Sequence, residues 1–281
     1  PSGNPTHTAV RFDDYDVYEE EDFNILKSGK IWYSDHFFDV KEYEYLFNFP
    51  NLVENTQVSL RMDLAARSDS MNYFVITFND HPSDTVEVAP VNLASTTYAR
   101  TKKKTLLYIT GPEDEINIKV RYFNNSGRAE GWLNYLVLNA LRRLRFEGGQ
   151  MDFRNTNYTG LQKITEYVME KDGEEVQVWD VTDPLNPLRM TVEPGVNELR
   201  FKAASDSLRE FIAFDGTEFL TTEFVEMVEN QNLHGLAAAD MIIVTYPDFM
   251  QQAEALADLH REHDGMTIHV TTPQRIYNEF S

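Results

Sequence analysis

The chain has 281 residues, of which 42% are hydrophobic and 12% aromatic, so it is long enough for one large domain or two ordinary ones with filled cores. Its formal net charge of -21 argues against a general nucleic-acid-binding protein and against attachment to an anionic membrane surface. It contains no cysteine, which excludes disulfides, thiolate nucleophiles, iron–sulfur clusters and thiolate zinc sites for this chain.

The N-terminal segment, residues 1–29, is polar and acidic. We predict that it is a solvated charged segment. The alternative is a cation site, in which Asp13, Asp14, Asp16 and the acidic run Glu19–Asp22 would bind a structural calcium ion. The run lacks the Asp-x-Asp-x-Asp-Gly order and the later Glu of an EF-hand loop, so the solvated segment is preferred.

No feature of the sequence predicts a membrane-spanning helix or a signal peptide. A spanning helix needs a run of about 18 apolar residues, and the chain has none. The opening PSGNPTHTAV lacks the apolar stretch of a secretory signal. If the protein is exported, we therefore expect its signal peptide to have been removed.

Residues 30–215 show the two-residue alternation of apolar and polar side chains that is typical of half-buried antiparallel strands. Turn-forming Asn, Asp, Gly and Pro separate the runs, which predicts a mostly β, jelly-roll-like antiparallel β-sandwich region. One large unit is the preferred interpretation, and two sandwiches are the alternative. The clearest runs are VSLRMDLAA, YFVITFN, INIKVRYF, EVQVWDV and NELRFKA.

The segment WLNYLVLNALRRLRF, from Trp132 to Phe146, fits either a helix or a strand. Leu and Ala favour a helix, whereas the alternation of its first half fits a long strand. The flanking SGRAEG and EGGQ are typical of hairpin turns, and so we predict a strand.

The pattern changes after residues 216–236, which we interpret as a linker. In residues 237–281 the apolar run MIIVTY predicts a strand buried on both faces. Pro247 and Asp248 suit the first turn of a helix that ends at Gly265, with Phe249, Ala253, Leu256 and Leu259 or His260 on one face. TIHVTT is the next strand and PQRIYNEF the next helix, so the segment is a βαβ unit, for which a right-handed crossover is expected.

Two histidine motifs are candidate sites. His260, Glu262 and His263 could contribute to a zinc site, but they lie at the predicted end of a helix, where histidines interact favourably with the helix dipole. His234 precedes the buried strand in an HGL motif, and a catalytic role would require a Ser or Thr nucleophile in a chain without Cys. We predict a capping role for the first group and a structural role for His234.

Other motifs carry less information. Trp32, Trp132 and Trp179 could line a sugar-binding face, although aromatic residues of a β-sandwich more often form its core. The Gly-rich turns GPED and EGGQ do not follow a phosphate-binding pattern. From residue chemistry alone, no active site can be assembled.

Several segments resemble gingipain-like cysteine peptidases, and among them the branch that contains the sortase of the type IX secretion system. The resemblance extends in patches over residues 28–281 and is most specific at its end. Its segments are SGKIWYSDHFF, FNFPNL, LAARSDS, GWLNYLVLNALRRL, VWDVTDPLNP, ENQNLHGLAAADMIIVTYPDF and LADLHREHDGMTIHVTTPQRIYNEFS.

The resemblance implies that residues 237–281 are the truncated start of a caspase-like α/β peptidase domain. The catalytic His and Cys of the family match no position of this sequence, so no catalytic, cofactor-binding or metal-binding residue is carried over to it. We therefore expect the chain to be inactive alone. The resemblance also supports a strand for Trp132–Leu144.

The function that the resemblance implies is that of a non-catalytic N-terminal part of a cell-surface cysteine endopeptidase or sortase. The parent would remove C-terminal sorting domains from type IX secreted cargo and attach the cargo to lipopolysaccharide, at the outer membrane of a Gram-negative bacterium of the Bacteroidota. Its expected partners are the remainder of the peptidase domain, the outer-membrane protein PorV and the cargo, with a dimer or swapped assembly possible through the α/β edge. The alternative is a free-standing β-sandwich module that binds glycan or protein.

Overall fold

The computed structural model describes residues 3–79, 81–173, 175–225 and 227–280. The residues outside the described ranges are Pro1, Ser2, Asp80, Glu174, Glu226 and Ser281. The chain divides into two compact units, Pro1–Leu220 and Thr221–Ser281, and the division lies inside the predicted linker. None of the helices described is long and apolar enough to span a bilayer.

The first unit consists of strands, and the mostly β fold class is confirmed. In chain order the strands are β1 (His7–Ala9), β2 (Arg11–Tyr18), β3 (Asp35–Phe37), β4 (Glu42–Asn48), β5 (Gln57–Arg67), β6 (Asn72–Phe78), β7 (Asp84–Val88), β8 (Arg100–Ile109), β9 (Glu115–Phe123), β10 (Glu130–Arg143), β11 (Gln150–Arg154), β12 (Ile164–Glu170), β13 (Gln177–Asp180), β14 (Leu188–Arg189), β15 (Glu193–Pro194), β16 (Glu198–Ala204) and β17 (Glu210–Phe214).

The first sandwich packs two antiparallel sheets against each other. One has the order β2-β10-β5-β8, with β3 also paired to β10, and the other has the order β4-β9-β6-β7. Alternate residues of the strands β5, β6, β9 and β10 form most of the shared core, as in β6, where Phe74, Ile76 and Phe78 are fully buried. Because successive side chains of a strand point to opposite faces, the remaining residues cover the outer surfaces.

Strand β10 extends over 14 residues. The prediction of a strand in the ambiguous segment is therefore confirmed as far as Arg143. Along one edge β10 pairs with β5, with a register shift between Leu133 and Tyr135, and along the other edge it pairs with β3 and then with β2. Leu and Ala favour a helix in isolation, but the burial of their side chains in the core between the two sheets outweighs that preference.

The second sandwich has a separate core. Its sheets have the orders β1-β12-β16-β15 and β11-β17-β13-β14. Four aromatic rings, from Phe153, Tyr167, Phe201 and Phe211, meet in its centre, with the Tyr167 and Phe201 ring centroids 4.9 Å apart. The buried side chains of the first unit thus form two main clusters, one in each sandwich. The two-sandwich alternative describes the region, and the preferred single jelly-roll unit does not.

The acidic N-terminal segment also differs from its prediction as a solvated stretch. Strand β1 pairs in parallel with β12 of the second sandwich, and β2 pairs antiparallel with β10 of the first. Ala9 and Phe12 lie in the second core. The physical reason is that two apolar anchors and eight residues of strand pairing outweigh the charge of the Asp residues that follow the anchors, of which Asp13 and Asp14 are partly exposed and Asp16 is exposed.

The second unit contains the predicted βαβ arrangement. Strand β18 (Met241–Val244) pairs in parallel with β19 (Ile268–Thr271), and helix α1 (Met250–Asp264) connects them after a 3-10 turn at Pro247–Phe249. Helix α2 (Pro273–Phe280) follows. Between β17 and β18 the described residues form neither helix nor strand.

Two details of this unit differ from the sequence predictions. Helix α1 buries the small residues Ala253 and Ala257, whereas Leu256 and Leu259 of the predicted face are about half exposed. Strand β18, predicted to be buried on both faces, leaves Ile242 64% exposed. With one paired strand and one packed helix, the described unit has too few elements to cover both faces of a parallel sheet.

Candidate functional site

The second unit contains a cluster of polar side chains around Glu279, in the last turn of α2. Its carboxylate accepts hydrogen bonds from the backbone N–H of Leu233 at 2.8 Å and of His234 at 2.6 Å. The side-chain amide of Gln231 donates a third at 3.0 Å. The side chain of Glu279 is only 13% exposed, so these bonds hold α2 against the segment that precedes β18.

His234 is oriented by the same carboxylate. Its Nδ1 lies 2.8 Å from Oε1 of Glu279, and its ring centroid lies 4.2 Å from that of Phe280. The next residue, Gly235, donates its N–H to the side chain of Asn232. A Cβ at Gly235 would come within 2.3 Å of the Asn232 amide nitrogen, so a larger residue here would require the Asn232 side chain to move.

The hydrogen bonds determine the charge state of Glu279. Burial by itself would raise the pKa of this carboxyl group, but the N–H donors of Leu233 and His234, the imidazole and the Gln231 amide together lower its pKa to about 2. Glu279 is therefore ionised at neutral pH. A carboxylate in this state fixes the tautomer and the orientation of His234.

The His234–Glu279 pair has the geometry of an oriented imidazole, as a general base requires. Catalysis by nucleophilic attack would also need an activated hydroxyl or thiol within hydrogen-bond reach of the ring. In the described residues, the only side chain that hydrogen-bonds to the His234 ring is Glu279. The arrangement closes the segment 231–235 onto α2, and a structural role for His234 stays a prediction.

The cluster at the end of α1 has a capping geometry. His260 Nδ1 lies 2.6 Å from Asp264 Oδ2, and the His260 carbonyl accepts the N–H of Gly265, whose φ is 67°. In the chain as described, no group of three or more His, Asp or Glu residues is arranged to hold a metal ion. The structure therefore does not bring His260, Glu262 and His263 together as a metal site.

The acidic residues of β2 point to different partners. Asp13 accepts hydrogen bonds from the N–H and the hydroxyl of Thr156, at 2.6 and 2.9 Å. Asp14 pairs with Arg142, and one oxygen of Asp16 accepts the N–H of Val17 at 2.8 Å. These carboxylates do not converge, so the calcium site considered from the sequence has no assembled ligand set in β2.

The three tryptophans do not share a face. Trp132 is 2% exposed, and its ring stacks on His36 at a centroid distance of 5.1 Å. Trp179 belongs to β13 of the second sandwich and contacts Phe214, whereas Trp32 lies in a loop and is 38% exposed. These three residues therefore do not form a shared sugar-binding face, which was the alternative to the preferred core role.

Sequence reasoning missed a cleft on the outer face of the first sandwich. It has a volume of about 750 Å³ and includes Tyr15, Arg61, Tyr135 and Arg154. Several residues that line the cleft stand at the polar positions of VSLRMDL and WLNYLVLN, between residues of the core. What could not be seen is that the two segments lie side by side, because strand pairing is a long-range property.

Comparison with known proteins supports the resemblance drawn from the sequence. Residues 234–281 match the family model of Peptidase family C25. Dimeric latent PorU from Porphyromonas gingivalis is similar in structure, with a TM-score of 0.78 and 20% sequence identity, over 100% of this chain and 27% of that chain. The present chain thus spans about a quarter of the length of that protein.

Other comparisons add nothing to the assignment. The mosquito-larvicidal Cry4Aa toxin from Bacillus thuringiensis has a TM-score of 0.28 at 8% identity, over 37% of this chain and 18% of that chain. The carbohydrate-binding module CBM36 in complex with calcium and xylotriose has a TM-score of 0.25 at 9% identity, over 46% of this chain and 98% of that chain. Both values are too low to support an argument, and a search of curated proteins found no match. The chain therefore has the fold of a PorU segment, and its residues 234–281 carry the signature of the gingipain-type Peptidase family C25.

Proposed function

We propose that the chain is the non-catalytic N-terminal part of a cell-surface cysteine endopeptidase of the gingipain type. The observation that carries this proposal is the likeness in fold to PorU over the full chain, at 27% of PorU's length. The match to Peptidase family C25 begins only at residue 234. The family chemistry requires a Cys thiolate, and this sequence has no Cys.

In this proposal the two sandwiches are a scaffold and a docking surface, and the βαβ unit belongs to the peptidase domain. The partner expected for the unit is the remainder of that domain. Support comes from β18, where Ile242 and Val244 are 64% and 50% exposed. A parallel strand is ordinarily covered on both faces, so further strands and helices of the same domain are its natural complement.

The finer proposal is that the parent acts as a sortase at the outer membrane. It would cleave the C-terminal sorting domain from type IX secreted cargo through an acyl-enzyme on its Cys, and an amine of surface lipopolysaccharide would then take the acyl group. The N-terminal part contributes no reacting group to these steps. PorV and the cargo are the partners proposed for its surfaces, and a dimer is proposed because PorU itself is described as dimeric.

A split-protein experiment tests the proposal. The chain is incubated with a peptide that spans the junction between a cargo protein and its sorting domain, alone and together with the separately produced remainder of the same gene product. We expect no cleavage by the chain alone and cleavage by the reconstituted pair. Replacing the catalytic Cys of the remainder by Ala should abolish this activity. Turnover by the repurified chain alone would overturn the proposal.

A free-standing module that binds glycan or protein is the second candidate, and the cleft on the outer face of the first sandwich favours it. The split-protein experiment separates the two. A module of this kind would neither associate with a downstream domain nor change its activity.

A further inference from the structure

Strand β8 lies at one edge of the β2-β10-β5-β8 sheet. It pairs with β5 over its whole length, and in the part of the chain that the structure describes no other strand pairs with it. Because only alternate residues of a strand direct their N–H and C=O groups to a given neighbour, the other half of these groups on β8 point away from β5. Between Arg100 and Tyr108 no described loop bonds to them, so the main chain of β8 has a free edge.

This edge strand carries a row of positive charges. Arg100, Lys102 and Lys104 occupy every second position and are exposed. They therefore lie on one side of the strand, with a spacing of about 6.7 Å between successive residues. Further along the same side, Leu106 and Tyr108 are buried in the core of the first sandwich. The row of cations thus continues the core-facing side of β8 into solvent.

The carboxylates nearest to β8 leave this row uncompensated. Asp63 of β5 lies on the opposite side of the sheet, where it is 4.0 Å from Lys103. Asp84 of β7 accepts a hydrogen bond from a tyrosine hydroxyl of β8, and Glu87 lies on the outer side of the other sheet. Among the described residues, none of the three cations of the row forms an ion pair. In a chain with a net charge of -21, such a row is a local exception.

The other half of β8 exposes apolar surface. Leu107 and Ile109, on the side opposite to the cations, are 58% and 49% exposed. Lysines on an edge strand repel a second copy of the same edge, so two β8 strands are not expected to pair. Repulsion of this kind does not account for the exposed Leu107 and Ile109. A strand of opposite charge laid beside β8 would cover both side chains as well as the free main-chain groups.

We propose that β8 binds an extended acidic segment of a partner protein, which adds to the sheet as a further strand. The main chain of the segment pairs with the free edge of β8. Acidic side chains at every second position of the segment lie opposite Arg100, Lys102 and Lys104, and apolar side chains cover Leu107 and Ile109. In an antiparallel partner, the apolar residues come before the acidic ones along the chain.

Other anionic ligands fit this edge less well. Neither a nucleic acid nor another polyanion supplies the alternating donors and acceptors that would satisfy the free N–H and C=O groups of β8. A nucleic acid would also bring many phosphates to a chain with a net charge of -21. A short acidic strand meets only the edge itself, where the local charge is positive.

Fluorescence anisotropy with the whole chain tests the proposal. The probe is a labelled ten-residue peptide with Ile and Val at its first and third positions, Glu at the sixth, eighth and tenth, and Thr elsewhere. The comparison peptide has Gln in place of each Glu. We expect saturable binding of the acidic peptide that added salt weakens, and an affinity about tenfold lower for the Gln peptide. Equal binding of the two peptides, or no binding of the acidic one, would overturn the proposal.

Two N-methylated forms of the acidic peptide separate strand pairing from charge attraction. One is methylated on the backbone nitrogens of the sixth, eighth and tenth residues, and the other on those of the fifth, seventh and ninth. Only one of these sets of N–H groups faces β8 in a paired strand, so one form should lose binding and the other should keep it. If both forms bind as well as the unmodified peptide, the contact is one of charge alone and the proposal is wrong.

Two double variants of the protein locate the binding edge. Lys102→Gln with Lys104→Gln should lower the affinity about fivefold. The matched control is Lys119→Gln with Arg121→Gln, which removes two exposed cations at the same spacing from β9, a strand that is paired on both sides. Melting temperatures confirm that the variants are folded. Equal effects of the two double variants would contradict binding at β8. The measurement uses this chain alone, so its outcome is separate from that of the split-protein experiment.

Discussion

Asp14 pairs with Arg142 across β2 and β10, with 2.6 Å between the carboxylate Oδ2 and the guanidinium Nη1. Both side chains are largely buried, at 18% and 10% exposure. Arg142 also donates its Nε–H to the carbonyl of Pro50, and its guanidinium lies over the ring of Phe12. Arg142, a residue of β10, is therefore bound both to β2 and to the loop before β5.

The first prediction concerns this pair. Asp14→Ala leaves the charge of Arg142 without its partner in a mostly buried site, so we expect a loss of about 3 kcal/mol in the free energy of unfolding. Urea denaturation followed by tryptophan fluorescence measures it. The control is Asp16→Ala, two residues along the same strand and exposed, which should change the stability by no more than about 0.5 kcal/mol. Equal effects of the two substitutions would contradict the assigned role of the pair.

The second prediction concerns the close packing of Gly131 in β10. A Cβ at this position would lie 2.9 Å from Cζ of Phe74 and 2.9 Å from Cδ2 of Tyr122, both of which are buried. These rings cannot move without disturbing the core. We therefore expect Gly131→Ala to reduce the free energy of unfolding by about 1–3 kcal/mol.

Gly127 provides the matched control for Gly131. It lies in the loop before β10, and a Cβ there would meet nothing within 4 Å. Gly127→Ala should be neutral or slightly stabilising, because it restricts the unfolded chain. Thermal unfolding of both variants distinguishes overpacking from a general effect of replacing glycine. A Gly131→Ala variant as stable as Gly127→Ala would show that the core accommodates the methyl group.

Local signals in the sequence predicted much of the fold. The alternation in YFVITFN and INIKVRYF appears as β6 and β9, and MIIVTY with TIHVTT forms the parallel pair β18–β19. Alternation identifies the face of a strand but not the sheet to which it belongs. For this reason the two cores and the role of β2 could not be predicted.

The candidate site was even less accessible from sequence. His234 stood out in the HGL motif, but its partner Glu279 lies at the other end of the unit, in a helix whose pattern marks no functional position. Trp132 is conspicuous in the sequence as an aromatic residue, but it is buried. The exposed Tyr15 belongs to a segment predicted only to be charged, and the exposed Arg61 belongs to one predicted only to be a strand. Partners that are distant in sequence determine both sites.

The third prediction is a pH dependence of the Glu279 cluster. The pKa of Glu279 is lowered from its ordinary value of 4.5 to about 2 in the folded chain. Its contribution to stability is therefore fully present above about pH 4.5 and is lost as the pH falls towards 2. Hydrogen–deuterium exchange of residues 231–235 should accelerate over this range relative to β19. The pH dependence of intrinsic exchange is removed with an unstructured peptide of the same sequence.

Glu279→Gln should remove this dependence. The amide keeps the size of the side chain but loses the charge that accepts the N–H bonds of Leu233 and His234. Fast exchange of residues 231–235 is then expected at every pH. Glu262→Gln, on the exposed side of α1, is the matched control and should behave as the unmodified chain. Protection that persists in Glu279→Gln would show that the segment is held by other contacts.

The fourth prediction concerns the exposed apolar surface of β18. Ile242 and Val244, at 64% and 50% exposure, present adjacent apolar side chains on one face of a two-stranded sheet. Such a surface is expected to associate with another copy of the chain or to bind a hydrophobic dye. Sedimentation at several concentrations should detect self-association, and the dye 1-anilinonaphthalene-8-sulfonate should fluoresce in its presence.

Replacing both residues by Thr should reduce the association and the dye signal, since Thr retains the preference for a strand but shortens the apolar surface. The control is Leu46→Thr in β4, which removes a side chain of 62% exposure from the first sandwich. This single change should leave the association unaltered, because Leu46 belongs to the first unit and β18 to the second. If the double Thr variant associates as strongly as the unmodified chain, the β18 face is not the surface through which copies meet.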